Sequence, residues 1–158
     1  MNDEAVVKSG GNIMFIMGII FTVLTAIGVI LVIMALAALS AVGSLASSAE
    51  AREIVRTVKA NVNVNAIIYV SLIIMIINLV VSIAMITFGS ALKKLVLEKA
   101  GGALIVAMIS LALSILSIIF GFIAGGLPWG AFITTGLGVW VFIVVNNAKK
   151  AAGNLSAA

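Results

Sequence analysis

The sequence predicts an all-α integral membrane protein, folded as a four-helix transmembrane bundle. Three observations predict it. Of 158 residues, 64% are hydrophobic and only 9% charged, against about half and about a quarter in soluble domains. Four runs carry no charged residue at all: Ile13–Leu39, Val62–Leu92, Ala103–Leu127 and Ala131–Ala148. Each is close to or longer than the roughly 20 residues that cross a hydrocarbon core. None alternates polar with apolar residues, as the strands of a membrane barrel do over about ten residues. The spans therefore fall at about 13–39, 65–92, 103–125 and 131–148, within one membrane domain covering residues 1–158.

The first span is expected to be a retained helix. Its apolar stretch exceeds that of a secretory signal, and Asp3 and Glu4 spoil the basic flank that a signal carries. It holds Thr22 and Thr25, then a long small-residue run from Ala35 to Ala49.

Ile13 to Leu92 covers 80 residues, whereas Ala103 to Ala148 covers 46, so the first connection holds a surplus. Ser47 and Glu50 have the spacing of a capping box, in which hydroxyl and carboxylate each satisfy an orphan amide. Ala51, Ile54, Val55, Val58 and Val62 recur at helical spacing behind them, with Glu50, Arg52, Glu53, Arg56 and Lys59 on the other faces. The pattern predicts an outer amphipathic helix over about 47–62. Such a helix could extend the first two spans as a projecting hairpin, lie in the headgroup layer, dock a partner or simply cap its own bundle. Its mixed charges and lack of Trp or Phe favour the projecting hairpin.

Every later span carries small or polar residues at packing intervals. In the second, Ser71, Asn78, Ser82 and Gly89 are spaced 7, 4 and 7, the seam of a left-handed helix pair. Asn78 lies near the middle of that span and is expected to bond a hydroxyl or carbonyl on a facing helix, setting register. In the third, Ala103, Ala107, Ser110, Ser114, Ser117, Gly121 and Gly125 form one continuous face on which another helix can approach closely. In the fourth, Gly130, Thr134 and Gly138 repeat every fourth residue. Tyr69 and Trp129 fall near the outer interface, where amphipathic rings settle. Trp140 lies about mid-way along the fourth span, where its indole N–H needs an acceptor.

A short repeat is visible. "KSGG" (Lys8–Gly11) precedes the first span and "KAGG" (Lys99–Gly102) the third, while "ALKK" (Ala91–Lys94) closes the second and "NAKK" (Asn147–Lys150) the fourth. The chain thus reads as two tandem helical hairpins of parallel repeat type, although glycine and lysine are also simply common at inner span ends. Lys8, Lys93, Lys94, Lys99, Lys149 and Lys150 lie on one side of the membrane, against Arg52, Arg56 and Lys59 on the other. The positive-inside rule then puts both termini in the cytoplasm. There "NLS" (Asn154–Ser156) fits the glycosylation pattern but would go unused. The expected location is the cell membrane of a prokaryote.

Absences exclude whole function classes. There is no Cys and no His, so there is no disulfide framework and the commonest metal ligand is missing. No Asp, Glu, Lys or Arg falls inside a span, which argues against an ion- or proton-coupled transporter, a rotor-ring proteolipid or a small multidrug exporter. Ser, Thr and Asn have no intramembrane base to activate them, so no catalysis, cofactor or metal site is expected. The few clustered basic residues are orientation signals rather than a nucleic-acid patch. In outline the layout is similar to tetraspan proteins of the claudin type, but those carry a Trp and paired Cys in the first outer loop, and no family is assigned. The expected role is a non-catalytic structural or accessory membrane subunit. It would act through helix packing in the bilayer, as a homo-oligomer or part of a larger membrane complex. The alternative is a small-solute pore, facilitator or holin-like permeabilising protein, lined by Ser, Thr and Asn.

Overall fold

The computed structural model describes residues 2–45, 64–123 and 128–157. Among them there is no strand. Helix α1 covers Asp3–Leu45 and α2 covers Val64–Lys93. A single 3-10 turn, Leu97–Lys99, leads into α3 (Ala100–Ile123), and α4 covers Trp129–Ala157. All four helices are long and apolar enough to cross a membrane. The expected outer helix at 47–62, with Glu50, Arg52, Glu53, Arg56 and Lys59, lies outside the described residues. Residues 124–127, Gly125 among them, also lie outside the described residues.

Helices α1 and α4 run further than the uncharged segments that predict them. At its start, α1 takes in Asp3 and Glu4, whose carboxylates suit the positive end of the helix dipole. Asn2 Oδ1 accepts the Glu4 backbone N–H at 3.3 Å, as an N-cap side chain does. Lys8 Nζ donates to Glu4 Oε1 at 2.6 Å, the favourable order for an i,i+4 ion pair. At the other extreme, α4 continues past Lys149 and Lys150 to Ala157. Alanine is the best helix former, and Ala148, Ala151 and Ala152 are buried. Charge ends an apolar run; it does not end a helix.

The chain divides into two compact units, Met1–Val23 with Asn78–Ala158, and Leu24–Ile77. In the first, each helix buries a stripe spaced three and four residues apart. On α1 it is Val7, Gly10/Gly11, Met14, Met17/Gly18 and Phe21; on α2, Ser82, Met85, Gly89 and Leu92. On α3 it is Ala100, Ala103, Ala107 and Ser110; on α4, Gly138, Val141, Val145, Ala148 and Ala152. This 3.5-residue spacing is that of left-handed bundle packing. Neighbours in sequence run antiparallel: Gly11 abuts Leu92 and Lys93 while Gly18 abuts Ser82 and Ile86. Likewise Gly138 abuts Leu111 while Gly121 abuts Pro128. In the second unit, Gly28 of α1 faces the Met75 thioether of α2, and large side chains such as Leu31 and Ile73 are exposed.

The α2–α3 connection is closed by backbone bonds. Val96 N–H donates to Ala91 O at 3.0 Å and Leu95 N–H to Leu92 O at 2.9 Å. This paired six-to-one and five-to-two closure requires a left-handed residue just past the helix, usually glycine. Here that residue is Leu95, with φ 60°. Its side chain packs against the buried core, which holds a conformation that L-residues otherwise avoid.

Candidate helix-packing site

A close backbone approach lies between α1 and α2, where two glycines face each other. A Cβ on Gly11 would lie 2.5 Å from Lys93 N and 2.8 Å from Gly89 O. A Cβ on Gly89 would lie 2.5 Å from Phe15 N and 2.9 Å from Gly11 O. Seven residues along α1, a Cβ on Gly18 would lie 2.9 Å from Ile86 N and 3.0 Å from Ser82 O. The obstacles are backbone atoms, so no rotamer change relieves them. Hydrogen at Cα is what lets the two backbones touch, the principle by which small residues bring membrane helices together. Gly10 does the same toward α4, where a Cβ would meet Ala148 Cβ at 2.6 Å.

On α2, Ser82 and Gly89 are buried in this seam, whereas Ser71 and Asn78 are half-buried. Ser71 falls in the second compact unit, Asn78 in the first. The Ser82 hydroxyl donates to Asn78 O at 2.7 Å. On α3, Ala107 and Ser110 are buried, and Ser114, Ser117 and Gly121 half-buried. Ser114 and Ser117 donate to Ser110 O and Leu113 O, each at 2.9 Å. Gly121 makes room for the Pro128 ring at the start of α4. On α4, Gly138 is buried against Leu111 and Ser114, and Thr134 is half-buried with its hydroxyl on Ala131 O at 3.0 Å. Gly130 is not brought into this packing. It is exposed, with open space where a Cβ would stand.

Sequence reasoning did not single out Gly10, Gly11 and Gly18 as contact residues. The signal for two of them is present, since Gly11 and Gly18 are seven apart, as are Ser82 and Gly89. Thr22, four residues after Gly18, turns its hydroxyl onto Gly18 O at 2.8 Å, extending the same face.

All charged residues among the described ones gather at one end of the helices: Asp3, Glu4, Lys8, Lys93, Lys94, Glu98, Lys99, Lys149 and Lys150. Asn154 Nδ2 donates to Asp3 Oδ2 at 3.2 Å, joining the two ends of the chain. Lys93 Nζ lies 5.1 Å from the centroid of the Phe15 ring, within cation–π range. At the opposite end, Phe122 and Phe132 meet edge-on at 6.0 Å. Among the described residues, one buried hydroxyl, Thr135 Oγ1, has no partner. Among the described residues, no three His, Cys, Asp or Glu side chains are grouped so as to hold a metal ion.

Comparison with protein-family models, with curated proteins and with solved structures finds no match for this chain.

Proposed function

We propose that this chain is a non-catalytic integral membrane subunit, structural or accessory in role, that works by packing helices and assembling with itself or a partner. Both termini face the cytoplasm of a prokaryotic cell, because Lys8, Lys93, Lys94, Lys99, Lys149 and Lys150 lie at the end of the helices that holds them. The observation that carries the reading is where the polar atoms of the spans go. The hydroxyls of Thr22, Ser82, Ser114, Ser117 and Thr134 all turn back onto their own helix backbones. Such residues act as small packing elements rather than as a polar lining for a solute, the Thr135 hydroxyl being the exception among those described.

The test is purification from membranes in mild detergent, with the mass of the particle and its co-purifying proteins measured. A homo-oligomer or a defined complex is expected. A lone monomer without a partner refutes the assembly role. The same material in sealed vesicles should pass neither small ions nor dyes; flux would favour the pore reading instead.

A further inference from the structure

Lysines close the charged end of the helices in a repeated arrangement. Gly10 and Gly11 are adjacent on α1 yet touch different helices. A Cβ on Gly10 would meet Ala148 of α4, and one on Gly11 would meet Leu92 and Lys93 of α2. The dilysines Lys93–Lys94 and Lys149–Lys150 therefore stand at one level, on either flank of α1. All four side chains are exposed, and all belong to the same compact unit.

The chain itself does not answer this charge. Six lysines stand against three carboxylates at this end. Glu4 is taken by Lys8, and Asp3 accepts the Asn154 amide. Among the described residues, Lys93, Lys94, Lys99, Lys149 and Lys150 form no ion pair. Lys93 ends α2, where the helix dipole favours a cation, and it rests over the Phe15 ring. Lys149 and Lys150 have no such support, because α4 continues past them to Ala157 and the dipole acts only within the last turn.

Their depth says what meets them. About two turns from Gly11, Lys99 and Lys149, exposed Ile16, Ile105 and Ile143 already present an apolar surface. Lysine stems lie along such a surface while the ammonium reaches the headgroup layer. A phosphate there accepts charge-assisted hydrogen bonds from more than one ammonium. A zwitterionic headgroup carries its own cation; an anionic one takes the protein's. Clusters of about four to eight basic residues at the cytoplasmic end of a span attract anionic lipid in this way.

We infer that this lysine-rich end binds anionic phospholipid, each dilysine holding a headgroup phosphate at the bilayer surface beside α1. The inference rests on the membrane placement in the reading above and adds the lipid class to it.

Native mass spectrometry of the purified chain, released from micelles holding equal phosphatidylglycerol and phosphatidylcholine, tests this. Phosphatidylglycerol should be retained about tenfold over phosphatidylcholine, and less so in about 0.5 M sodium chloride. Lys93→Gln with Lys94→Gln, or Lys149→Gln with Lys150→Gln, should halve the number of lipids retained, and all four together should abolish retention. The corresponding Lys→Arg variants keep the charge and should retain lipid, which separates a lost site from a lost fold. Arg52→Gln with Arg56→Gln removes the same charge from the first connection and should change nothing. Phosphatidylglycerol should also raise thermal stability in detergent, whereas inorganic phosphate at the same concentration should not. Equal retention of the two lipids, or an equal loss on Arg52→Gln with Arg56→Gln, overturns the inference. Equal stabilisation by inorganic phosphate overturns it too, leaving a free-anion site. If retention is unselective while the chain purifies within a larger complex, the lipid inference falls and the subunit reading stands. Selective retention by a partnerless monomer does the reverse.

Discussion

Adding one methyl group at Gly11 gives the sharpest test of the α1–α2 seam. In an unconstrained helix, Gly→Ala is favourable by about 1 kcal/mol. Here the new Cβ would stand 2.5 Å from Lys93 N, 0.9 Å short of the 3.4 Å at which ordinary contact begins. Both partners are helix backbone, so the helices must move apart by most of that distance. A gap of about 0.5–1 Å forfeits roughly a quarter to a half of the dispersion well between facing atoms, and overpacking of this kind typically costs about 1–3 kcal/mol. The packing loss outweighs the propensity gain, and Gly11→Ala should destabilise by about 1–2 kcal/mol net. Gly89→Ala should do the same. Because either methyl opens the same contact, the double variant should lose less than the two single losses added together. Gly101→Ala and Gly153→Ala, where a Cβ meets nothing within 4 Å, serve as controls and should be neutral or stabilised. The assay is reversible unfolding by SDS titration in mild detergent, followed by far-ultraviolet circular dichroism. A Gly11→Ala protein as stable as its parent, or more so, refutes the close backbone contact.

Other positions give independent checks by the same assay. At Leu95, Ala keeps the left-handed backbone and loses the packing, whereas Gly loses the packing but relieves about 1–2 kcal/mol of backbone cost; Leu95→Ala should therefore be the less stable, the reverse of helix propensity. Thr135→Val removes a buried hydroxyl without a partner and should stabilise by about 1–2 kcal/mol; a loss instead would show that the hydroxyl finds a partner in the assembled protein. Phe15→Leu should remove about 0.5–1 kcal/mol of attraction for Lys93, and a cycle with Lys93→Gln isolates the pair. Asn78→Leu should lower thermal stability by about 0.5–2 kcal/mol if the carboxamide sets helix register, and unchanged stability and assembly would remove that role.

The number of helices and the small-residue pattern of α3 are legible in the sequence because each rests on a contrast. Ala103, Ala107, Ser110, Ser114 and Ser117 stand out as small residues at 4, 3, 4 and 3 among isoleucines and leucines. The α1 glycines are harder to read. Gly10 and Gly11 sit beside Lys8 in a short motif, where a turn or a span boundary is as natural a reading as a contact. Only the partner positions, on α4 for Gly10 and on α2 for Gly11, distinguish them. Helix ends are illegible for a different reason. The residues that stop an apolar run, Asp3, Glu4, Lys149 and Lys150, are compatible with helix, and the first two favour its N-terminus.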